Sequence, residues 1–142
     1  MSRPSLLLTV QTVLHRYVVC RDQILELRIV DNIAELEQID SRGRPMINRA
    51  LGGLLDPRDT LNAKRCHALI VQLRRRSVAL LVERVADLHT IEMPNLIQPL
   101  APLIVQRLDH LWFLGAMVHN EEPLLVLDLR QIALEALRCT QN

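Results

Sequence analysis

The sequence is poor in aromatic residues, which make up 2% of its 142 residues. The three rings belong to Tyr17, Trp112 and Phe113. Proteins that bind single-stranded nucleic acids stack successive bases on several aromatic side chains. The formal net charge of +1 also supplies little attraction for phosphate. Both observations argue against nucleic acid as a partner, although a small-barrel nucleic-acid binder stays open as an alternative.

Cysteine and long apolar runs are also scarce. Cys20, Cys66 and Cys139 are widely spaced and odd in number, which is not the pattern of a secreted disulfide framework. No apolar run approaches the ~18 residues of a membrane span, and the N-terminus does not have the shape of a signal peptide. We therefore expect a cytoplasmic protein without membrane insertion.

Catalytic and metal-binding motifs are missing as well. The sequence has no C-x-x-C pair, and the adjacent Cys66 and His67 do not have the ligand spacing of a zinc site. No nucleophile elbow surrounds a serine, and Gly52-Gly53 lacks the lysine of a phosphate-binding loop. We expect no catalytic residue, no metal, no cofactor and no enzymatic activity.

Short apolar runs separated by turns dominate the first half. The segments "LLLTV" and "RYVVC" indicate strands, whereas "RDQILELRI" predicts a short helix because Ile24 and Leu27 are three positions apart. The stretch "SRGRP" predicts a turn in which Gly43 adopts a positive φ. "PMINRALGGLLDP" predicts a strand followed by a short helical turn, and the polar residues 56–64 predict a link between the two halves.

In the second half, Arg74-Arg75-Arg76 lies between the apolar runs "CHALIVQL" and "SVALLV". This pattern is typical of a β-hairpin with a solvated turn. Near the C-terminus, Asp128 separates an apolar strand from "LRQIALEALR". A carboxylate there accepts backbone N–H bonds at a helix start. One apolar face of that helix is formed by Leu129, Ile132, Ala133 and Ala136.

The two halves repeat one plan. Residues 17–27 align with 78–88 at an offset of 61, and residues 45–54 align with 123–132 at an offset of 78. Such internal similarity predicts two related lobes of short strands, each with one short acidic helix. Closing each short sheet into a small barrel removes its exposed edges.

The ordered set of segments resembles the CheW-like domain of bacterial chemosensory systems. The second half matches through "ALIVQLRRRSVALLVERVADLHTI" and "LGAMVHNEEPLLVLDLRQIAL". In these segments Glu83 stands at an acidic position of the family, Gly115 at its strand glycine and Asp128 in its "DL". The first half is similar through "HRYVVCRDQILELR" and "IDSRGRPMINRAL", which keeps Arg42-Gly43.

The resemblance implies a mainly β fold of two small SH3-like or OB-like β-barrel lobes packed in tandem, with short helices and a C-terminal helix. Residues 1–142 are expected to form a single CheW-like domain. Lobe one spans about residues 16–64 plus the N-terminal strand, and lobe two spans about 65–139.

The resemblance also implies a non-catalytic adaptor that bridges the regulatory domain of a CheA-type histidine kinase and the cytoplasmic tips of chemoreceptors. A strand edge and an apolar groove between the lobes are the expected contact surfaces. Candidate partner-binding residues are Arg42, Gly43, Asp22 and Glu26. Asp22 and Glu26 are also the candidate partners for the charge of Arg42, and the alternative for Arg42 is a turn arginine whose stem lies on apolar surface and whose head is in water. Gly115 and Asp128 are the candidate structural residues.

The first half departs from the family pattern. Glu37 replaces a glycine, Asn48-Arg49-Ala50-Leu51 replaces an apolar strand that ends in "DL", and glycines are missing near Val13 and Leu14. A second hypothesis is therefore a diverged relative that has lost kinase and receptor coupling. Such a protein binds another protein or self-associates through an exposed strand.

Overall fold

The computed structural model describes residues 7–33, 36, 38–61, 65–87, 112–119 and 121–140. The fold is mainly β, as expected, with two sheets and few helices. The strands are β1 Leu7–Gln11, β2 Arg16–Cys20, β3 Glu26–Val30, β4 Met46–Ala50, β5 Cys66–Gln72, β6 Ser77–Val82, β7 Arg84–Asp87, β8 Phe113–His119 and β9 Glu122–Leu127. The helices are α1 Leu51–Leu55 and α2 Leu129–Thr140, and Arg21–Gln23 forms one 3₁₀ turn.

The two sheets exchange strands between the halves of the chain. The five-stranded sheet has the order β7-β1-β2-β9-β8, and the four-stranded sheet has the order β3-β5-β6-β4. The hairpin β1–β2 thus lies between strands of the second half, and the hairpin β5–β6 lies between strands of the first. In each sheet the strand that leads into a helix pairs in parallel, β9 with β2 and β4 with β6. The result is an internal pseudo-two-fold arrangement.

The sequence offsets reappear in this arrangement. The strands β2 and β6 begin at Arg16 and Ser77, which are 61 positions apart. The helices α1 and α2 begin at Leu51 and Leu129, which are 78 positions apart. Both leucines are fully buried, so the repeat preserves the first core contact of each helix. The boundary between lobes at residues 64 and 65 stays a prediction, and each sheet contains strands from both sides of it.

The main core lies between the two sheets and α2. Residues of both hairpins meet there, among them Val10 and Val19 from one sheet and Leu69 and Leu80 from the other. The predicted apolar face of the C-terminal helix is confirmed: Leu129, Ile132, Ala133 and Ala136 are all buried in this core. Two smaller apolar clusters cover the opposite faces of the sheets. Central strands are therefore apolar on both faces, which explains the continuous run "SVALLV".

The prediction of two short acidic helices is wrong. The chain makes one 3₁₀ turn at Arg21–Gln23 and then continues as β3, and the equivalent second segment forms β7. Ile24 and Leu27 have helical spacing, but they do not share a buried face: Ile24 is buried, whereas Leu27 is 39% exposed. Pairing of β3 with β5 and of β7 with β1 satisfies the backbone instead.

The predicted hairpins and turns are confirmed. The strands β5 and β6 pair antiparallel, and their turn closes through a bond from the Leu73 N–H to the Arg76 carbonyl at 2.9 Å. Gly43 has a φ of +76°, a conformation that costs glycine little and other residues more. The strand β4 and the short helix α1 also follow the predicted order.

Candidate functional site

The arginine turn, residues 40–44, is built around the carboxylate of Asp40. Its Oδ1 accepts the backbone N–H of Arg42 at 2.8 Å and that of Arg44 at 2.9 Å. Its Oδ2 accepts the hydroxyl of Ser77 at 2.6 Å. Backbone bonds between Asp40 and both Gly43 and Arg44 close the turn. Asp40 is buried, whereas Arg42 and Gly43 are exposed, so the turn presents Arg42 from a fixed base.

The environment of Asp40 favours its charged form. Burial by itself raises the pKa of this carboxyl. The Ser77 hydroxyl, the backbone N–H groups of Arg44 and Arg42, and the charge of Arg44 outweigh burial and lower the pKa below its ordinary value of 3.8. A buried carboxylate with this many donors remains ionised at neutral pH.

Gln72 connects the arginine turn to a neighbouring cleft. With its amide oxygen facing the two guanidinium groups, Gln72 accepts from Arg42 Nη1 at 3.1 Å and from Arg44 Nη1 at 2.6 Å. Arg44 also donates through Nη2 to the carbonyl of Leu73 at 2.6 Å. The same Gln72 lines the cleft. Arg42 is therefore linked to the cleft lining through the side-chain amide of Gln72.

The cleft has a volume of about 400 Å³ and lies between the 3₁₀ turn, the end of β5 and the first turn of α2. It combines charged, amide and apolar side chains. Its lining residues are Asp22, Gln23, Ile24, Leu25, Val71, Gln72 and Arg130. Of the predicted partner-binding residues, Asp22 lines the cleft and Arg42 contacts the lining residue Gln72, whereas Gly43 and Glu26 are not part of the lining.

The expected ion pair of Arg42 with Asp22 or Glu26 is not formed. Within the described part of the chain, Glu26 pairs with Arg28 on the same strand, and Arg42 bonds to Gln72 instead. Glu26 and Arg28 both precede the buried Val30 on one face of β3, because residues two apart share a face of a strand. The sequence prediction treated this segment as a helix and therefore misplaced Glu26.

Asp128 stands directly before α2 and close to the same cleft. Its Oδ1 lies 3.4 Å from the backbone nitrogen of Gln131, the geometry of a long N-cap bond, and 3.1 Å from Gln23 Nε2. Gln23 in turn accepts the N–H of Leu129 through Oε1 at 2.9 Å. Two side chains from distant parts of the sequence thus accept backbone N–H groups in the first turn of α2, which have no partner within the helix. The energetic contribution of Asp128 stays a prediction.

Gly115 follows an irregularity in β8. Phe113 pairs with Leu127 and Gly115 with Val126, so Leu114 is an extra residue between two consecutive partners. Such a bulge bends a strand and turns a side chain outward, and Leu114 is 43% exposed. Trp112 and Phe113 are half-buried and pack against the main core. The structural role predicted for Gly115 is not tested by this geometry.

Sequence reasoning missed Asp59, which holds the β1–β2 turn. Asp59 is buried and accepts the hydroxyl of Thr12 at 2.5 Å and the backbone N–H groups of Val13 at 3.1 Å and Leu14 at 3.2 Å. This turn is where the family glycines are missing. The segment around Asp59 is polar and resembles a surface link. The only sequence signal for its role was the nearby Gly52-Gly53 pair, since glycine allows another side chain to approach the backbone closely.

A second depression of about 530 Å³ lies near this turn, and its lining combines the Arg16–Glu122 ion pair with exposed apolar side chains. Val13, Leu14, Pro123 and Leu125 line it, and all four are exposed. Val118, on the neighbouring strand β8 opposite Pro123, is 65% exposed. Adjacent exposed apolar side chains mark surfaces that bind other proteins. The departure Glu37 lies outside the described residues.

The arrangement provides binding groups and few reactive ones. Burial raises the pKa of the Cys66 thiol, and burial with the nearby charges of Asp22 and Asp128 raises that of Cys20, so both favour the less reactive neutral form. Among the described residues, no group of three or more His, Cys, Asp or Glu is placed to hold a metal ion. In the same ranges, no helix has the length and apolar character needed to cross a bilayer.

Comparisons with known proteins agree with this fold. The model of the CheW-like domain family matches residues 7–136. The crystal structure of scaffolding protein TtCheW from Thermoanaerobacter tengcongensis is similar, with a TM-score of 0.59 and 19% sequence identity. The similarity covers 88% of this chain and 89% of that chain, and at this identity it shows the fold. A search of curated proteins finds no match.

Proposed function

The chain belongs to the CheW-like domain family, and we propose that it is a non-catalytic adaptor in chemotaxis-type signalling. In this role it bridges the regulatory domain of a CheA-type histidine kinase and the cytoplasmic tips of chemoreceptors, and it works in the cytoplasm. The observation that carries the proposal is the family match over residues 7–136. The similar scaffolding protein from Thermoanaerobacter tengcongensis supports it through the shared fold.

The arginine turn is the contact we assign to this role. Hydrogen bonds that involve Asp40, Ser77 and Gln72 fix the turn, while Arg42 remains exposed. A guanidinium group whose backbone is already fixed loses less conformational entropy on binding. The adjacent cleft adds apolar wall from Ile24, Leu25 and Val71. This combination suits the recognition of a protein segment that carries both charge and apolar side chains.

The exposed apolar surface supports a second protein contact. Leu14, Leu125 and Val118 lie on turn and strand positions away from the cleft lining. An adaptor needs two surfaces that different partners occupy at the same time. Signal transfer then follows from the relative placement of the partners, without a chemical step on this chain.

Calorimetric titration with the regulatory domain of the CheA-type kinase from the same organism tests the proposal. We expect binding in the micromolar range, which corresponds to about −8 kcal/mol. Arg42→Glu should weaken binding about tenfold, because it places a repelling charge on a fixed turn. The matched control is Arg65→Glu, a charge reversal at an exposed surface ion pair, which should leave binding unchanged.

The outcomes separate the two functional hypotheses. Binding that Arg42→Glu weakens and Arg65→Glu preserves supports the adaptor. The adaptor proposal is contradicted if the titration gives no binding heat and the two proteins do not co-elute from a column. This conclusion requires that the protein is folded and that the kinase domain binds another adaptor. That second result favours the diverged relative that binds a different protein or itself.

A further inference from the structure

Two arginine-bearing turns lie side by side in the structure, although their nearest residues, Arg44 and Leu73, are 29 positions apart in the sequence. The first is the arginine turn at residues 40–44, and the second is the β5–β6 turn at residues 73–76. Together they carry Arg42, Arg44, Arg74, Arg75 and Arg76. We call this set the arginine surface.

Five hydrogen bonds connect the two turns and the residues next to them. Ser77 donates its hydroxyl to Asp40 at 2.6 Å and its backbone N–H to the Pro45 carbonyl at 2.9 Å. Arg44 donates to the Leu73 carbonyl at 2.6 Å, and Gln72 accepts from Arg42 and Arg44. The turns therefore act as one rigid base. The fold sets the relative placement of the two turn backbones that carry the arginines.

Within the described part of the chain, none of the five arginines lies at ion-pair distance from a carboxylate. Asp40 is buried between the turns, and the charge of Arg44 acts on it. Arg42, Arg74 and Arg75 are exposed. The whole protein has a formal charge of only +1, so positive charge is concentrated here and offset elsewhere.

We propose that the arginine surface binds an acidic protein segment, with the apolar side chains of that segment entering the adjacent cleft. Guanidinium groups pair with carboxylates in a bidentate manner. Gln72, which contacts Arg42 and Arg44, lines the cleft together with the apolar residues Val71, Leu25 and Ile24. An acidic segment with interspersed apolar residues matches both parts.

Two observations favour a protein segment over a nucleic acid or a lipid surface. The low net charge gives weak long-range attraction for a polyanion such as DNA. The cleft next to the arginines has a mixed lining that includes Asp22 and Arg130, and its apolar residues Ile24, Leu25 and Val71 suit a peptide side chain. The proposal rests on the adaptor function only for the identity of the natural partner. The acidic chemistry follows from the surface itself.

Fluorescence polarisation with the full chain tests this proposal. The probe is a short labelled peptide rich in glutamate and leucine, and its control has glutamine in place of every glutamate. We expect saturable binding of the acidic peptide only, weaker at higher salt. The double variant Arg74→Glu/Arg75→Glu should weaken it about tenfold or more. The control Arg65→Glu/Arg138→Glu, with the same change in net charge at two exposed arginines, should stay within about twofold.

Three results would overturn the proposal. One is the absence of binding to the acidic peptide by a folded chain. Another is an equal loss of peptide affinity in both double variants, which would indicate that binding depends on net charge and not on this surface. The third is tighter binding of a single-stranded oligonucleotide or of anionic phospholipid vesicles than of the peptide. Titration of the kinase domain in parallel separates this proposal from the adaptor function, because either binding event can fail while the other remains.

Discussion

The carboxylate of Asp59 occupies the space where a Cβ atom on Gly52 would lie. An added Cβ at Gly52 would overlap the Asp59 side chain, and that side chain is already fixed by Thr12 and by the backbone of the β1–β2 turn. Gly53, the next residue of α1, approaches only the Asp59 carbonyl, at the ordinary contact distance of 3.5 Å. Two adjacent glycines of one short helix thus have different structural roles.

Gly52→Ala should destabilise the protein by about 2–3 kcal/mol, because the new methyl group displaces a buried, hydrogen-bonded carboxylate. The matched control is Gly53→Ala, which meets no overlap and should be neutral or stabilise by about 0.5–1 kcal/mol through the lost flexibility of glycine. Urea unfolding midpoints measure both effects. Equal destabilisation by the two variants would show that Asp59 does not fill the space at Gly52.

Asp40 should make stability depend on pH in the acid range. Its folded pKa lies below 3.8, so the unfolded chain binds more protons near pH 4 and stability rises with pH there. The contribution is fully present above about pH 5 and is lost as pH falls through the folded pKa. In Asp40→Asn, unfolding free energies should be lower at neutral pH by about 1–3 kcal/mol and should change less between neutral and acid pH.

The pH experiment is a comparison between variants. Asp56, whose pKa is lowered by hydrogen bonds from Arg58 and His15, contributes a slope of the same sign in every variant. Gln131→Ala is the control, since it changes an exposed, uncharged side chain and leaves every carboxylate in place, so it should keep the parent slope. An unchanged acid slope in Asp40→Asn would contradict the prediction.

Asp128 and Gln23 should contribute jointly to the start of α2. Asp128→Ala should cost about 1 kcal/mol as the loss of an N-cap, and Gln23→Ala should cost a similar amount because it leaves the Leu129 N–H without its acceptor. Because Gln23 also donates to Asp128, the double variant should lose less than the sum of the single losses.

Thermal and urea unfolding of the two single variants and the double variant measure this coupling. Gln131→Ala is the control, since Gln131 contributes only its backbone N–H to the cap and its side chain is exposed. Strict additivity of the two losses would mean that Asp128 and Gln23 act independently.

Much of the fold was predictable where one local pattern had a single solution. Apolar runs bounded by turn residues, such as "CHALIVQL" and "SVALLV", form β5 and β6 as expected. Gly43 takes its positive φ because the turn requires it. The segment 21–29 was predicted wrongly, because three-residue apolar spacing also occurs by chance in short strands. There the pairing of β3 with β5 decided the outcome.

The site was predictable in part. The sequence indicated Arg42 and Asp22; in the structure Asp22 lines the cleft and Arg42 contacts its lining residue Gln72. It did not indicate Gln72, Ser77 or Asp40, whose roles depend on contacts between residues 28 to 37 positions apart. Polar residues of this kind have no local signature, since the same side chains occur on any exposed turn.

The sequence by itself determined the local elements: the short strands, the hairpin turns, the helix start at Leu129 and the order in which the two halves repeat. Those features follow from backbone preferences and apolar periodicity within a few residues. Only the tertiary structure decided that strands are exchanged between the halves, that the distant Asp59 holds the β1–β2 turn by hydrogen bonds, and that two distant turns form one arginine surface. Long-range pairing and burial select these arrangements, because they satisfy backbone and carboxylate groups that no neighbour in sequence reaches.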